Sequence, residues 1–162
     1  MPSNNEHKQI FIDIILRSGL DLNYHRRIQN YMDLIQNNEI NGYGVTKYSD
    51  GTSYEGNYVD AVRNGYGKYI KLNGDVYEGN YRDGKINGFG KYISSDGNIY
   101  EGWFDNASRE GLGKMIWKDG SIYEGEFKNN KIEGIGKIFW PNGLNYEGEF
   151  KDWYFNGIGT FK

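Results

Sequence analysis

The chain has no cysteine. That excludes disulfides and thiolate metal sites, and it fits a reducing compartment. Its two histidines, His7 and His25, have no spaced set of partner ligands, so no metal centre or other cofactor is expected. No apolar run approaches the roughly 20 residues that a bilayer-crossing helix needs. The opening "MPSNNEHKQI" lacks the basic-then-apolar order of a secretory leader, so a cytoplasmic location is expected. An excess of one charge is also missing. Lys and Arg number 19 against 22 Asp and Glu, a net charge of -3. Residues 1–39 carry four basic and five acidic side chains, so they are not a basic arm. Nucleic-acid binding, which calls for a strong basic excess, is therefore not expected.

What the chain has instead is glycine (24) and tyrosine (15), with only two prolines. Glycine-rich chains that stay disordered usually lack aromatics. Here 17% of residues are aromatic. At about 1.5–3 kcal/mol per large apolar side chain fully buried, that supplies enough apolar area to fold.

The glycines and tyrosines recur on a fixed period. Tyr-Glu-Gly begins at Tyr54, Tyr77, Tyr100, Tyr123 and Tyr146, every 23 residues. A Gly-x-Gly follows each time, from Gly65/Gly67 to Gly157/Gly159. Asn73-Gly74, Asp96-Gly97, Asp119-Gly120 and Asn142-Gly143 close successive units. An incomplete unit, with Gly42-Tyr43-Gly44 and Asp50-Gly51, precedes them. Such a period marks a stacked repeat architecture. Each unit reads as two strands, one like "NYEGEFK" and one like "GIGKIFW". The Asn-Gly and Asp-Gly pairs suit type I′ turns between units. A longer turn, such as Asn129 to Ile132, is expected within each unit. The expected fold is a meander of about eleven short antiparallel strands.

A register follows from the spacing. Gly125 is expected opposite Gly136, Glu124 opposite Lys137, and Phe127 opposite Gly134. The period repeats these pairs, with Tyr58 on Gly65, Tyr81 on Gly88, Phe104 on Gly111 and Phe150 on Gly157. The glycines would leave room for an aromatic ring to lie across the neighbouring strand and let the sheet bend. On the other face Glu55–Lys68, Glu78–Lys91, Glu101–Lys114 and Glu124–Lys137 would pair, at about 0.2–1 kcal/mol each.

The segment "YEGNYRDGKINGFGKYISSDGNI", Tyr77 to Ile99, resembles a MORN repeat (membrane occupation and recognition nexus). All five Tyr-Glu-Gly units share the resemblance, and the leading half-unit does in part. Unit three departs from it with "DNASRE" in place of a Gly-Lys-type turn, and the last unit stops at Lys162 before a closing turn. The resemblance implies a mainly β protein. Its core would be an elongated, twisted single antiparallel sheet of consecutive hairpins with a groove. Such a sheet serves as a scaffold in protein assemblies, sometimes at membranes or the cytoskeleton. The repeat region is taken as 40–162, with a half repeat at 41–53 and repeats starting at 54, 77, 100, 123 and 146.

Residues 1–39 are different. Ser3-x-x-Glu6 has capping-box order, and Ile10, Phe11, Ile14 and Ile15 follow at helical spacing before Ser18-Gly19. Ile28, Tyr31, Met32 and Ile35 form the i, i+3, i+4, i+7 stripe of a second amphipathic helix. Helices over about 5–18 and 22–37 are expected. They would either cap the edge of the sheet or lie in its groove.

Catalysis is not expected. The five recurring glutamates repeat in every unit and are better read as partners of lysine than as acid–base pairs. Gly-x-Gly-Lys lacks the full phosphate-loop order and does not open a helix. The apolar positions carry the functional signal. Tyr58, Tyr66, Tyr81, Phe89, Phe104, Trp117, Phe127, Trp140 and Phe150 are the candidate lining of a partner groove. Most of them also serve the core. A partner helix would present anchors at i, i+3, i+4 and i+7. The reading is a non-enzymatic scaffold that binds a protein segment, with self-association as a homodimer through an open edge near Thr160-Phe161-Lys162. Two rivals are a peripheral membrane or phosphoinositide-binding module and a targeting subunit of an enzyme assembly. The Lys68, Lys91, Lys114 and Lys137 column would serve anionic headgroups, but the glutamate column neutralises it.

Overall fold

The computed structural model describes residues 41–162. The expected helices, with Ile10, Phe11, Ile14, Ile28, Tyr31, Met32 and Ile35, lie outside the described residues. The rest is one open antiparallel sheet of eleven strands in sequential order. The strands are β1 (Gly42–Lys47), β2 (Ser53–Val59), β3 (Val62–Ile70), β4 (Val76–Arg82), β5 (Lys85–Ile93), β6 (Ile99–Asp105), β7 (Ser108–Ile116), β8 (Ile122–Lys128), β9 (Lys131–Phe139), β10 (Asn145–Lys151) and β11 (Tyr154–Phe161). Unit three keeps the pattern despite its divergent turn sequence: the Ala107 N–H donates to Ile86 O at 2.9 Å, as Gly84 does to Arg63 O.

The two turn types stand at the opposite ends from those expected. Type I′ turns fall within the units, at residue pairs such as Asp60-Ala61 and Asn129-Asn130, where both central φ angles are positive. Two-residue loops of this kind match the right-handed twist of the flanking strands. The Asn-Gly and Asp-Gly turns between units are three-residue loops. Gly51 N–H donates to Tyr48 O at 3.0 Å, Tyr48 N–H donates to Thr52 O at 2.9 Å, and within this loop only Gly51 has positive φ. The preceding Asp or Asn is there for its side chain. Asp50 Oδ1 accepts the Thr52 N–H at 2.9 Å, and Asp119 Oδ1 accepts the Ser121 N–H at 2.8 Å. This is an Asx-turn, which needs no left-handed conformation at the Asp itself.

The register is as expected at Gly125↔Gly136 and Glu124↔Lys137 but departs from it at Phe127, which faces Ile132. The same holds for Tyr58 with Arg63, Tyr81 with Ile86, Phe104 with Arg109 and Phe150 with Phe155. A bulge is the cause. Between Gly125 and Phe127 one strand places a single residue, whereas its partner places three between Ile132 and Gly136. Gly134 sits in that bulge at φ 68, a conformation that glycine adopts without steric cost. Each strand aromatic instead faces the first glycine of the preceding unit, as in Gly65↔Tyr81 and Gly111↔Phe127.

The ring that needs glycine is the tyrosine of Tyr-Glu-Gly. It lies across the paired glycines of its own hairpin. A Cβ on Gly67 or Gly136 would stand 2.5 Å from Cζ of Tyr54 or Tyr123. The hydroxyl passes over the glycines and donates to the backbone carbonyl three residues on: Tyr54 to Asn57 at 3.0 Å, Tyr77 to Asn80 at 2.9 Å, Tyr100 to Trp103 at 2.9 Å. Its polar end is thereby satisfied while its ring is buried.

All the large buried side chains are on this one face. Tyr54, Tyr77, Tyr100 and Tyr123 are at most 1% exposed, although no second layer covers them among the described residues. They are shielded by one another and by half-buried side chains packed against them, among them Tyr69, Tyr92, Trp117 and Trp140. Rings meet edge to face along the whole array. Tyr54 contacts Tyr58 (5.1 Å between centroids) and Tyr81 of the next unit (5.2 Å); Tyr100 contacts Phe104 (5.0 Å) and Phe127 (4.9 Å).

Two substitutions test this arrangement by urea unfolding. Gly136→Ala drives a methyl into the Tyr123 ring and should cost about 3 kcal/mol, at the upper end of ordinary overpacking. Ala107→Gly, at φ 67, should relieve left-handed strain and stabilise by about 1 kcal/mol. A neutral Gly136→Ala would refute the ring seat.

Candidate functional site

The buried rings form the floor of a trough on the same face. A cavity of about 750 Å³ opens there, lined from β3 to β7 and by Asn130 and Trp153 of later turns, a volume within the range of small-molecule sites. Its origin is a local break in the period. In one column of the repeat, Tyr48, Lys71, Ser94, Trp117 and Trp140 succeed one another every 23 residues. Trp117 and Trp140 pack against the core, whereas Lys71 and Ser94 line the cavity. In the turn column, Gly84, Ala107 and Asn130 precede Trp153. The opening lies where Lys71 and Ser94 stand in place of Trp117 and Trp140, and Gly84, Ala107, Asn130 and Trp153 of the turn column all line it.

The charged groups that line the cavity are all cationic, beside uncharged Ser94, Asn98 and Asn130. Arg63, Lys71, Lys85 and Arg109 line the cavity, and no Asp or Glu does. Arg63 Nη2 donates to the Tyr48 hydroxyl at 3.0 Å. Its guanidinium lies 4.6 Å from the Tyr69 ring centroid and 5.1 Å from that of Tyr54. Arg109 lies 5.6 Å from the Tyr100 ring and 5.7 Å from that of Trp153. Burial lowers the Arg109 pKa, but guanidinium stays charged at any physiological pH. Beside the cavity, the buried carboxylate of Asp75 accepts the Tyr92 hydroxyl and the Ser95 N–H. Those bonds, the one from Tyr92 foremost, hold its pKa far below the ordinary carboxylate value. Lys71 Nζ lies 3.5 Å from Asp75 and 3.1 Å from the Tyr92 hydroxyl. None of the ion pairs among the described residues involves Arg63, Lys85 or Arg109.

The nine residues singled out in the sequence do not share one groove. Tyr58, Tyr81, Phe104, Phe127 and Phe150 are buried in the floor, and Trp117 and Trp140 pack half-buried against it. Tyr66 and Phe89 are on the opposite face, 54% and 46% exposed. They continue there in a stripe with Leu112, Ile135 and Ile158, all exposed. The same face carries the Glu and Lys rows. Lys114 closes on Glu124 at 2.7 Å and Lys137 on Glu147 at 3.5 Å, so the closed pairs reach the next unit rather than staying within one. Exposed pairs of this kind contribute little to stability. Sequence reasoning missed Arg63, Lys71, Tyr69, Tyr92, Arg109 and Trp153. A signal was available: positions 63, 86, 109, 132 and 155 read Arg, Ile, Arg, Ile and Phe, two charges in an otherwise apolar column.

Among the described residues no helix is long and apolar enough to cross a membrane. No group of three or more His, Asp or Glu residues there could hold a metal.

The chain belongs to the MORN repeat family, whose model matches residues 36–53, 54–76, 77–99, 100–122 and 123–144. The unit from Tyr146 onward is outside that match, yet it forms β10 and β11 with the same tyrosine geometry. Repeats of this family form protein-interaction or membrane-association modules. No curated protein matches the chain. Among solved structures, the chain is similar to the SAS-4 TCP domain from Drosophila melanogaster, solved in complex with a proline-rich motif of Ana2. Identity there is 19%, with a TM-score of 0.36, and the match covers 68% of this chain and 66% of that one. Virginiamycin B lyase from Staphylococcus aureus is 21% identical over 79% of this chain and 42% of that one, with a TM-score of 0.18. Neither likeness bears on what this chain binds.

The tyrosine floor predicts a pH dependence. Burial pushes the Tyr54 and Tyr100 hydroxyls up to about 12 from 10.0, and raises Tyr77 and Tyr123 as well. Between those values the folded chain keeps protons that the unfolded chain has lost. Stability is therefore fully present below pH 10 and falls as pH rises toward 12. In an alkaline titration followed by tyrosinate absorbance, the floor tyrosines should ionise only together with unfolding. Smooth ionisation of all tyrosines near pH 10 in a folded chain would contradict the burial.

Proposed function

We propose that this protein is a non-enzymatic cytoplasmic scaffold that binds an amphipathic helical segment of a partner protein in the trough of its tyrosine-floored face. The observation that carries this reading is the open cavity of about 750 Å³ above a rigid, fully buried aromatic floor. The part-exposed rings of Tyr69, Tyr92 and Trp153 in the cavity lining supply the contact area, and aromatic side chains of this kind are the usual anchors of an interface. The trough runs across the strands, so an occupant lying along it crosses several units. A helix meets such a surface through anchors at i, i+3, i+4 and i+7. Among the described residues no constellation of acid, base and nucleophile lines the trough, which fits a binding role.

A membrane role draws on the lysine row of the opposite face. There the neighbouring glutamates are in register with every lysine, from Glu55↔Lys68 to Lys137↔Glu147. The scaffold reading is favoured for that reason. Self-association is supported by β11, which is exposed along its whole length and whose outer edge pairs with no strand among the described residues.

The test is a display library of 20-residue helical peptides with apolar residues fixed at i, i+3, i+4 and i+7, sorted on the full chain. Binders should emerge. Ser94→Trp with Ala107→Trp, which copies Trp117 and Trp153 into the open units, should abolish their binding. Leu112→Lys, on the opposite face, should leave it intact. An empty selection, or binders lost only with Leu112→Lys, would overturn the proposal. Liposomes with anionic lipid should not retain the chain at physiological salt.

A further inference from the structure

The charge of the trough is opposite in sign to that of the chain. Across 162 residues the net charge is -3, yet Arg63, Lys71, Lys85 and Arg109 line the cavity without one carboxylate among the lining residues. Asp75 accounts for Lys71 at 3.5 Å. That leaves Arg63, Lys85 and Arg109 outside the ion pairs formed among the described residues. Guanidinium groups spread over aromatic rings keep their edges available, and those edges match a carboxylate in a two-bond fork. Arg63 has used one donor, on Tyr48.

From this we infer that the trough is specific for an acidic amphipathic helix, and that two carboxylates on it engage Arg63 and Arg109. The inference rests on the groove reading above and adds the chemistry of the occupant. The repeat also supplies a spacing. Arg63, Ile86 and Arg109 hold equivalent positions on β3, β5 and β7, each two strands from the next. With strands about 4.8 Å apart, neighbouring members are roughly 10 Å apart across the sheet. A helix rising about 1.5 Å per residue covers that in about seven residues, or two turns. The partner helix therefore reads acid, apolar, acid at about i, i+7 and i+14 on one face. The apolar residue meets Ile86, and the acids meet the two arginines. An uncharged or basic helix would leave both guanidinium groups desolvated and unpaired, which selects against it.

The helical library sorted on the full chain gives the readout. Positions flanking the apolar stripe are randomised between Glu, Lys and Gln, and the sorted pool is sequenced. Glu should be enriched at least about tenfold over Lys at the two positions seven residues either side of the central anchor, a difference of about 1.4 kcal/mol. The preference should vanish in the Arg63→Gln/Arg109→Gln chain, whose folding is checked by thermal unfolding. Rising salt should weaken the best acidic peptide on the unaltered chain, a readout independent of any variant. A pool with the apolar stripe but no preference for acid overturns the inference and leaves the groove reading standing. A selection that yields no stripe at all overturns both. Vesicles containing phosphatidylinositol bisphosphate that bind through Arg63 and Arg109 and displace the peptides would make the occupant a headgroup, and the inference would fail.

Discussion

The edge-to-face contact between the tyrosine of one unit and the strand aromatic of the next is what the rest of this structure depends on. A single sheet has no second layer against which to bury a face. Here the rings bury one another. From Tyr58 through Tyr54, Tyr81, Tyr77, Phe104, Tyr100, Phe127, Tyr123 and Phe150 to Tyr146, each ring edge meets the next ring face at 4.9 to 5.4 Å. Each contact is worth about 0.5–1.5 kcal/mol beyond its buried area. Two glycines per hairpin are the condition for it, because any Cβ there would collide with the ring. A repeat array of this sort is held together by nearest neighbours, so the interface between units matters as much as each unit itself.

That uniformity makes departures from the period informative. Floor positions repeat almost without change, whereas the columns at the rim do not. Trp117 and Trp140 pack against the floor of the trough. Lys71, Ser94, Gly84 and Ala107 leave it open, with Trp153 in the lining of that opening. Arg63 and Arg109 put charge into a column that is otherwise Ile or Phe. The repeat supplies a continuous aromatic floor, and the exceptions to it shape the opening and set the sign of its charge.

Much of this was legible in the sequence. The 23-residue period gives the strand number and order. The Gly125–Gly136 and Glu124–Lys137 register follows from symmetry between the two strands of a unit. What could not be read was local backbone conformation. Asn-Gly fits a type I′ turn and also a type I turn with a following left-handed glycine, and only the hydrogen bonds of Tyr48 and Gly51 separate them. The bulge at Gly134 leaves every residue identity in place but shifts the pairing beyond it. Phe127 therefore comes to face Ile132, and the glycine seat passes to Tyr123. The separation of the candidate groove residues, by contrast, needs no bulge: Tyr66 and Phe89 alternate with glycines that pair on the aromatic face, as in Tyr66↔Asn80 beside Gly67↔Gly79, so strand alternation alone puts them on the face opposite Tyr58 and Phe104.

A double-mutant cycle between neighbouring units tests the central claim most directly. Tyr100 and Phe127 belong to successive units, with centroids 4.9 Å apart. Replacing each by leucine, singly and together, keeps apolar volume and removes the ring contact. The ladder account predicts a coupling energy of about 0.5–1.5 kcal/mol in unfolding free energy. If the two substitutions add within about 0.3 kcal/mol, the units are not joined through their rings, and the account is wrong.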